Sequence, residues 1–107
     1  MTSNTYQIIR TAIEKKQQIV ATYDNQRREL CPHVIGTKGG REQALFYQFA
    51  GQSNSRPIEP TGSPANWRCF AVDGLTNVSA RNGDWHTASD HSRAQKCVDN
   101  VDLEVDY

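Results

Sequence analysis

Between residues 18 and 51 the chain reads as a ladder of β-prone runs broken by very short turns. "QIVATY" (18–23) is followed by "DNQ", then "RRELCPHVI" (27–35), then the glycine-rich "GTKGGRE" (36–42), then "QALFYQFAG" (43–51). β-Branched and aromatic residues crowd the runs, while Asp, Asn and Gly mark the breaks, the pattern of consecutive antiparallel hairpins. Pro32 brings no N–H to a ladder, which predicts an edge position or a bulge in the second run. "WRCFAVDG" (67–74) and "LTNVSA" (75–80) continue as two strands joined at Asp73-Gly74, or one strand bent there. Both faces of the first of these are mostly apolar, so burial on both sides is expected. "VDLEVDY" alternates, predicting a last strand with Val101, Leu103, Val105 and Tyr107 inward and its acids outward.

The one strong helical period precedes the ladder. Ser3, Asn4 and Thr5 offer N-caps for a helix running to about Gln17, with Tyr6, Ile9 and Ile13 on one stripe widened by Ile8 and Ala12. One helix followed by five or six short strands predicts a mainly β, α+β domain built as a small barrel or half-open barrel. The 107 residues make one domain, 1–107, with a core and considerable polar loop. Residues 51–66, "GQSNSRPIEPTGSPAN", form a long loop between strands. Residues 80–107 are expected to hold a turn, a short helix after Ser89 and the final strand.

The balanced charge hides a split. Nine basic residues face five acidic ones up to Val72, and three face seven afterwards, leaving +4 and −4. That division suits a basic working surface beside an acidic tail, and equally a solvated surface with chance clustering. No apolar run is long enough for a membrane span, and no secretory leader is visible, so a cytoplasmic, membrane-free protein is expected. Cys31, Cys69 and Cys97 are expected as reduced, partly buried thiols. Asn77-Val78-Ser79 is a glycosylation sequon in form only.

Arginines make the pattern specific. Alternation puts Arg68 in line with Phe70 and Val72, and Arg28 in line with Leu30, Pro32 and Val34. Each stands near the start of a strand, so both guanidinium groups are expected at the rim of the core. Tyr23 closes the first strand beside Ile19 and Ala21. Tyr47 shares a face with Leu45 and Phe49, with Phe46 opposite. Two arginines and two tyrosines at one rim would make an anion site with stacking surfaces. An ion pair from Arg68 to Glu29 or Asp73 is the structural alternative. Lys38, Arg41 and Arg56, in loops, are candidates for guiding a nucleic-acid backbone.

Other constellations are weaker. "GTKGGRE" lacks the Gly-Lys-Ser/Thr ending of a phosphate loop. His86, Ser89, Asp90, His91 and Ser92 form a local cluster that reads as a helix cap rather than a catalytic triad. His86, His91 and Cys97, or Cys31 and His33, lack metal-site spacing, so no metal or cofactor is expected.

The order "IRTAIEKKQQIVATY", "RRELCPHVIG", "LFYQFAG", "WRCFAVDGLTNV" resembles the WYL domain of bacterial transcriptional regulators and defence-associated proteins. The matching positions are Ala12, Ile13, Tyr23, Arg28, Pro32, Phe46, Tyr47, Arg68 and Phe70, within residues 8–79. The sequence departs from the family at its signature, with Phe46-Tyr47-Gln48 where Trp-Tyr-Leu is usual. The resemblance implies an Sm-like small β-barrel whose ligand is a nucleotide or single-stranded nucleic acid. One helix cannot supply a helix-turn-helix, so it implies a standalone sensor or binding subunit. The expectation is thus a non-enzymatic regulatory module holding an anion at the barrel mouth through Tyr23, Arg28, Tyr47 and Arg68. The alternative is a protein-interaction subunit acting by homodimerisation or strand pairing with a regulator.

Overall fold

The computed structural model describes residues 3–51, 66–87 and 97–105. Helix α1 (Asn4–Lys15) is capped by Ser3, whose hydroxyl accepts the Tyr6 N–H at 3.1 Å. It ends where Lys16 turns left-handed (φ 52°) and the Gln17 N–H reaches back to the Ala12 carbonyl at 2.8 Å. Tyr6, Ile9, Ala12 and Ile13 are buried, as the helical stripe predicts.

Among the described residues one antiparallel sheet holds strands β1 (Gln18–Tyr23), β2 (Gln26–Lys38), β3 (Arg41–Gly51), β4 (Trp67–Ala71), β5 (Leu75–Arg81) and β6 (Asn100–Glu104). The first two hairpins close through Asp24-Asn25 (φ 54° and 62°) and Gly39-Gly40 (φ 59° and 81°). These positive-φ pairs are what two-residue hairpin turns matching the twist of the strands require.

The strands run in the order β4-β3-β2-β1-β5, and β6 pairs with the second half of β2. The two ends of the five-strand path are consecutive in sequence, joined only by a 3-10 turn, Val72–Gly74. Such a connection forces the sheet to curl. The curl is visible in Tyr23 of β1 and Phe70 of β4, whose ring centroids lie 4.3 Å apart. In a flat sheet strands three places apart would be separated by about 14 Å. Among the described residues the sheet is open, with β1–β5 and β3–β4 as its end pairs.

Inside the curl, the buried stripe of α1 shares one core with Ile19, Ala21, Leu30, Ile35, Ala44, Phe46, Phe70, Val72 and Leu75. β2 bulges between Pro32 and Val34, so Pro32 sits at a bulge of a central strand rather than at an edge. The bulge also reverses the alternation. Leu30 and Ile35 point into the core, while Val34 joins Leu45, Cys97 and Val98 on the outer side.

Several expectations change here. β4 is buried on one face only, with Cys69 exposed and Trp67 and Ala71 half-buried. Val101 is 49% exposed, because the β2–β6 register shifts between Ile35 and Gly36; Val105 is buried and Leu103 half-buried, as expected. Asp102 does not face water alone: it accepts the Tyr6 hydroxyl at 2.7 Å and Arg10 Nε at 3.0 Å, tying β6 to α1. Tyr107 and the helix expected after Ser89 lie outside the described residues.

Cys69 and Cys97 are joined in a disulfide, which overturns the reading of three reduced thiols. Their meeting point is Leu45, which pairs with Cys69 in the β3–β4 ladder and packs against the cluster containing Cys97. A sequence separation of 28 conceals that proximity. Cys31 is the free, buried thiol.

Candidate anion-binding site

Arg28 is the third residue of β2, and its strand parity turns it into the curl beside Leu30. It pairs with Ala21 across β1 and with Gly51 across β3. Gly51 is required there: its φ is 93°, and a Cβ would lie 2.5 Å from the Arg27 carbonyl oxygen and 2.8 Å from Arg28 Cα. The Arg28 residue is 4% exposed. Its Cζ lies 5.1 Å from the Phe70 ring centroid and 5.5 Å from that of Tyr23, within cation–π range of both stacked rings. One terminal nitrogen donates to Gln48 Oε1 at 3.2 Å and the other to Gln26 Oε1 at 3.4 Å, while Nε has no hydrogen-bond partner.

The chemistry of this arrangement is unusual. Arginine stays protonated in proteins, so a full positive charge is buried against two aromatic rings and two neutral amides. Among the described residues no carboxylate hydrogen-bonds it. Burial pulls the Arg28 guanidinium below its ordinary pKa, opposed by the charges of Asp24 and Tyr23.

Arg68, the second residue of β4, is also buried and faces the same interior. It pairs with Phe46 and lies two residues from Phe70, and one terminal nitrogen donates to the Trp67 carbonyl at 3.1 Å. Neither Glu29 nor Asp73 pairs with it. Glu29 is bound by Arg81 at 2.5 Å and Arg27 at 3.4 Å, and the Arg81 bond foremost holds its carboxyl below the usual range. Asp73 is exposed in the 3-10 turn. Arg28, Arg68 and Tyr23 are therefore gathered on one face, near the end of the curl where β1 turns into β2 and β4 begins.

Tyr47 does not join them. It pairs with Cys31 and Trp67 on the outer face, fully buried in a second cluster with Phe49, Trp67 and Trp85. Residues 82–87 lie over this face: Gln18 Nε2 donates to the Asp84 carbonyl at 2.7 Å, and the His86 ring stacks on Phe49 at 4.2 Å. His33 sits at 0% exposure between Trp67 and Trp85. Its Nδ1–H donates to the Cys31 carbonyl at 2.8 Å, leaving Nε2 to accept the Thr87 hydroxyl at 2.9 Å. Phe46, on the opposite face from Tyr47, is in the inner core.

Lys38 and Arg41 flank the Gly39-Gly40 turn and are exposed. Ten residues of strand, about 30 Å, separate Lys38 from Arg28, so only an extended ligand could touch both ends. Arg56, Ser89, Asp90, His91 and Ser92 lie outside the described residues. Among the described residues no group of three or more His, Cys, Asp or Glu side chains is placed to hold a metal ion. None of the described helices is long and apolar enough to cross a membrane.

Gln48 was missed as a site residue. It is fully buried and turned inward, and it holds Arg28. A lone amide in the otherwise apolar "LFYQFAG" was the available signal. Against protein-family models, curated proteins and solved structures, the chain matches none.

Proposed function

We propose that this chain is a non-enzymatic regulatory module that binds an anionic ligand, a nucleotide or single-stranded nucleic acid, with Arg28 as the central anchor. The observation that carries the reading is the Arg28 guanidinium, buried with an unbonded Nε and, among the described residues, no carboxylate hydrogen-bonded to it. A buried charge with no directly bonded opposite charge is expensive, and a phosphate oxygen is a strong partner for it. Arg68, on the same face, is the second anchor. Tyr23 supports the guanidinium with its ring instead of serving as a free stacking platform. The resemblance to the WYL domain supports the same class of ligand and a sensor role in transcription regulation.

A cytoplasmic location belongs to this reading, and there the Cys69–Cys97 bond would be of the transient kind found in thiol-rich compartments. Among the described residues β4 and β5 each pair along one side only. Strand pairing with a second copy or a regulator is therefore the alternative reading, which light scattering distinguishes by mass.

The test is fluorescence anisotropy with labelled short oligonucleotides and with mononucleotides across a salt titration. Binding should weaken steeply as salt rises, and Arg28→Gln should abolish most of it. No binding, or affinity independent of salt and of Arg28, overturns the proposal.

A further inference from the structure

We propose that the Cys69–Cys97 disulfide is a site of thiol exchange, opened by a low-molecular-weight thiol that attacks Sγ of Cys69 and not that of Cys97. The two halves of the bond are placed very differently. Cys69 is exposed on the outer face of β4, whereas Cys97 is 7% exposed, packed with Val34, Val98 and Leu45. Exchange requires access of the attacking thiolate to one sulfur along the bond, so the solvent side decides which sulfur is taken.

The buried half is also prepared for the product. Sγ of Cys97 lies 3.3 Å from the Ala44 carbonyl oxygen, an acceptor that a disulfide sulfur cannot use and a thiol can. In the step, the incoming thiolate forms a new S–S bond to Cys69 while the Cys69–Cys97 bond breaks. Cys97 leaves with the electron pair, takes a proton from water and donates the resulting S–H to Ala44. Return of the Cys97 thiolate to Cys69 expels the small thiol; alternatively a second small thiolate attacks the sulfur of the bound one, forming the small-molecule disulfide and releasing Cys69 as a thiolate that takes a proton from water, so that both cysteines end reduced.

The rest of the fold can survive the opening. Residues 97–105 are also held by the β2–β6 ladder, by Gln43 Nε2 donating to the Cys97 carbonyl at 3.0 Å, and by Asp102 with Tyr6 and Arg10. Exchange therefore frees one tether between β4 and the C-terminal strand without dissolving the sheet. Cys31 takes no part: burial pushes its thiol up to about 11, and its sulfur accepts the His86 N–H at 3.3 Å. The inference is independent of the anion-binding reading.

The experiment uses the full oxidised chain with reduced glutathione, quenched by acid and mapped by mass spectrometry. The wild-type protein should carry about tenfold or more adduct at Cys69 than at Cys97, with Cys31 unmodified and far-UV circular dichroism retained. In Cys97→Ala, oxidised glutathione should cap Cys69 stoichiometrically. Adduct at Cys97 equal to or above that at Cys69, no exchange in the folded chain, or two free thiols at positions 69 and 97 in air-equilibrated protein would each overturn the proposal. The wild-type map decides the matter even if the variant does not fold.

Discussion

Replacing Arg28 by methionine separates a binding role from a structural one, because the two roles predict opposite signs for stability. The guanidinium is buried, its bonds to Gln48 and Gln26 are long at 3.2 and 3.4 Å, and Nε is unbonded. Desolvating a charge costs several kcal/mol even after relaxation. Leaving Nε–H without a partner adds about 1–3 kcal/mol. Against this stand two weak hydrogen bonds, the through-space attraction of Asp24 and the contact with the Phe70 and Tyr23 rings, the last contributing about 0.5–2 kcal/mol. Methionine has a similar reach, carries no charge and recovers about 0.3–1.5 kcal/mol from sulfur–aromatic contact. The variant should therefore be more stable than wild type by about 1–3 kcal/mol, while anion binding is lost. Urea unfolding followed by circular dichroism, with the disulfide kept oxidised, gives the first quantity and anisotropy the second. A methionine variant less stable than wild type by more than about 1 kcal/mol would show that Arg28 is there to hold the fold, and the reasoning fails.

Two further outcomes follow from the packing. The Tyr6 hydrogen bond, then that of Arg10, hold the Asp102 carboxyl below its ordinary range, while burial first and Asp102 second push the Tyr6 hydroxyl up. Asp102 thus stabilises the fold above its unfolded pKa of about 3.9 and loses this as pH falls through the lower folded value, whereas Tyr6 stabilises below about 10 and loses this as pH rises. The stability gap between wild type and Asp102→Asn should be present at pH 6 and shrink toward pH 2; a gap independent of pH in urea melts refutes the assignment. Gly51→Ala should cost about 2 kcal/mol or more, since backbone atoms of Arg27 and Arg28 block the methyl, whereas Gly39→Ala, in open space, should cost only about 1 kcal/mol for its positive φ; equal losses in thermal melts would contradict this.

The hairpins were legible because their turns are local. Asp24-Asn25 and Gly39-Gly40 announce positive φ in the residues themselves. Strand parity was legible too: Arg28 and Arg68 do share a face with Leu30 and Phe70. What alternation could not settle was which face of β3 looks inward, since both carry apolar side chains. Alternation therefore leaves Tyr47 free to join the arginines, although its face is the one covered by residues 82–87. The Pro32–Val34 bulge was foreseen as a possibility, but its effect in turning Val34 outward was not. The disulfide escaped because it depends on where the C-terminal segment docks, and no local spacing records that.

The join between opposite edges of the sheet also sets the order in which the chain can assemble. The hairpins on either side of β2 need only two-residue closures, events on the order of microseconds. Seating β5 on β1 brings Gln18 against Arg81, 63 positions away, and seating β6 brings Val34 against Glu104. Contacts of that separation place mixed and β-rich domains on the order of milliseconds to seconds. Until they form, the three-strand meander presents its apolar concave side to water, and encounter with another chain competes with completion of the fold.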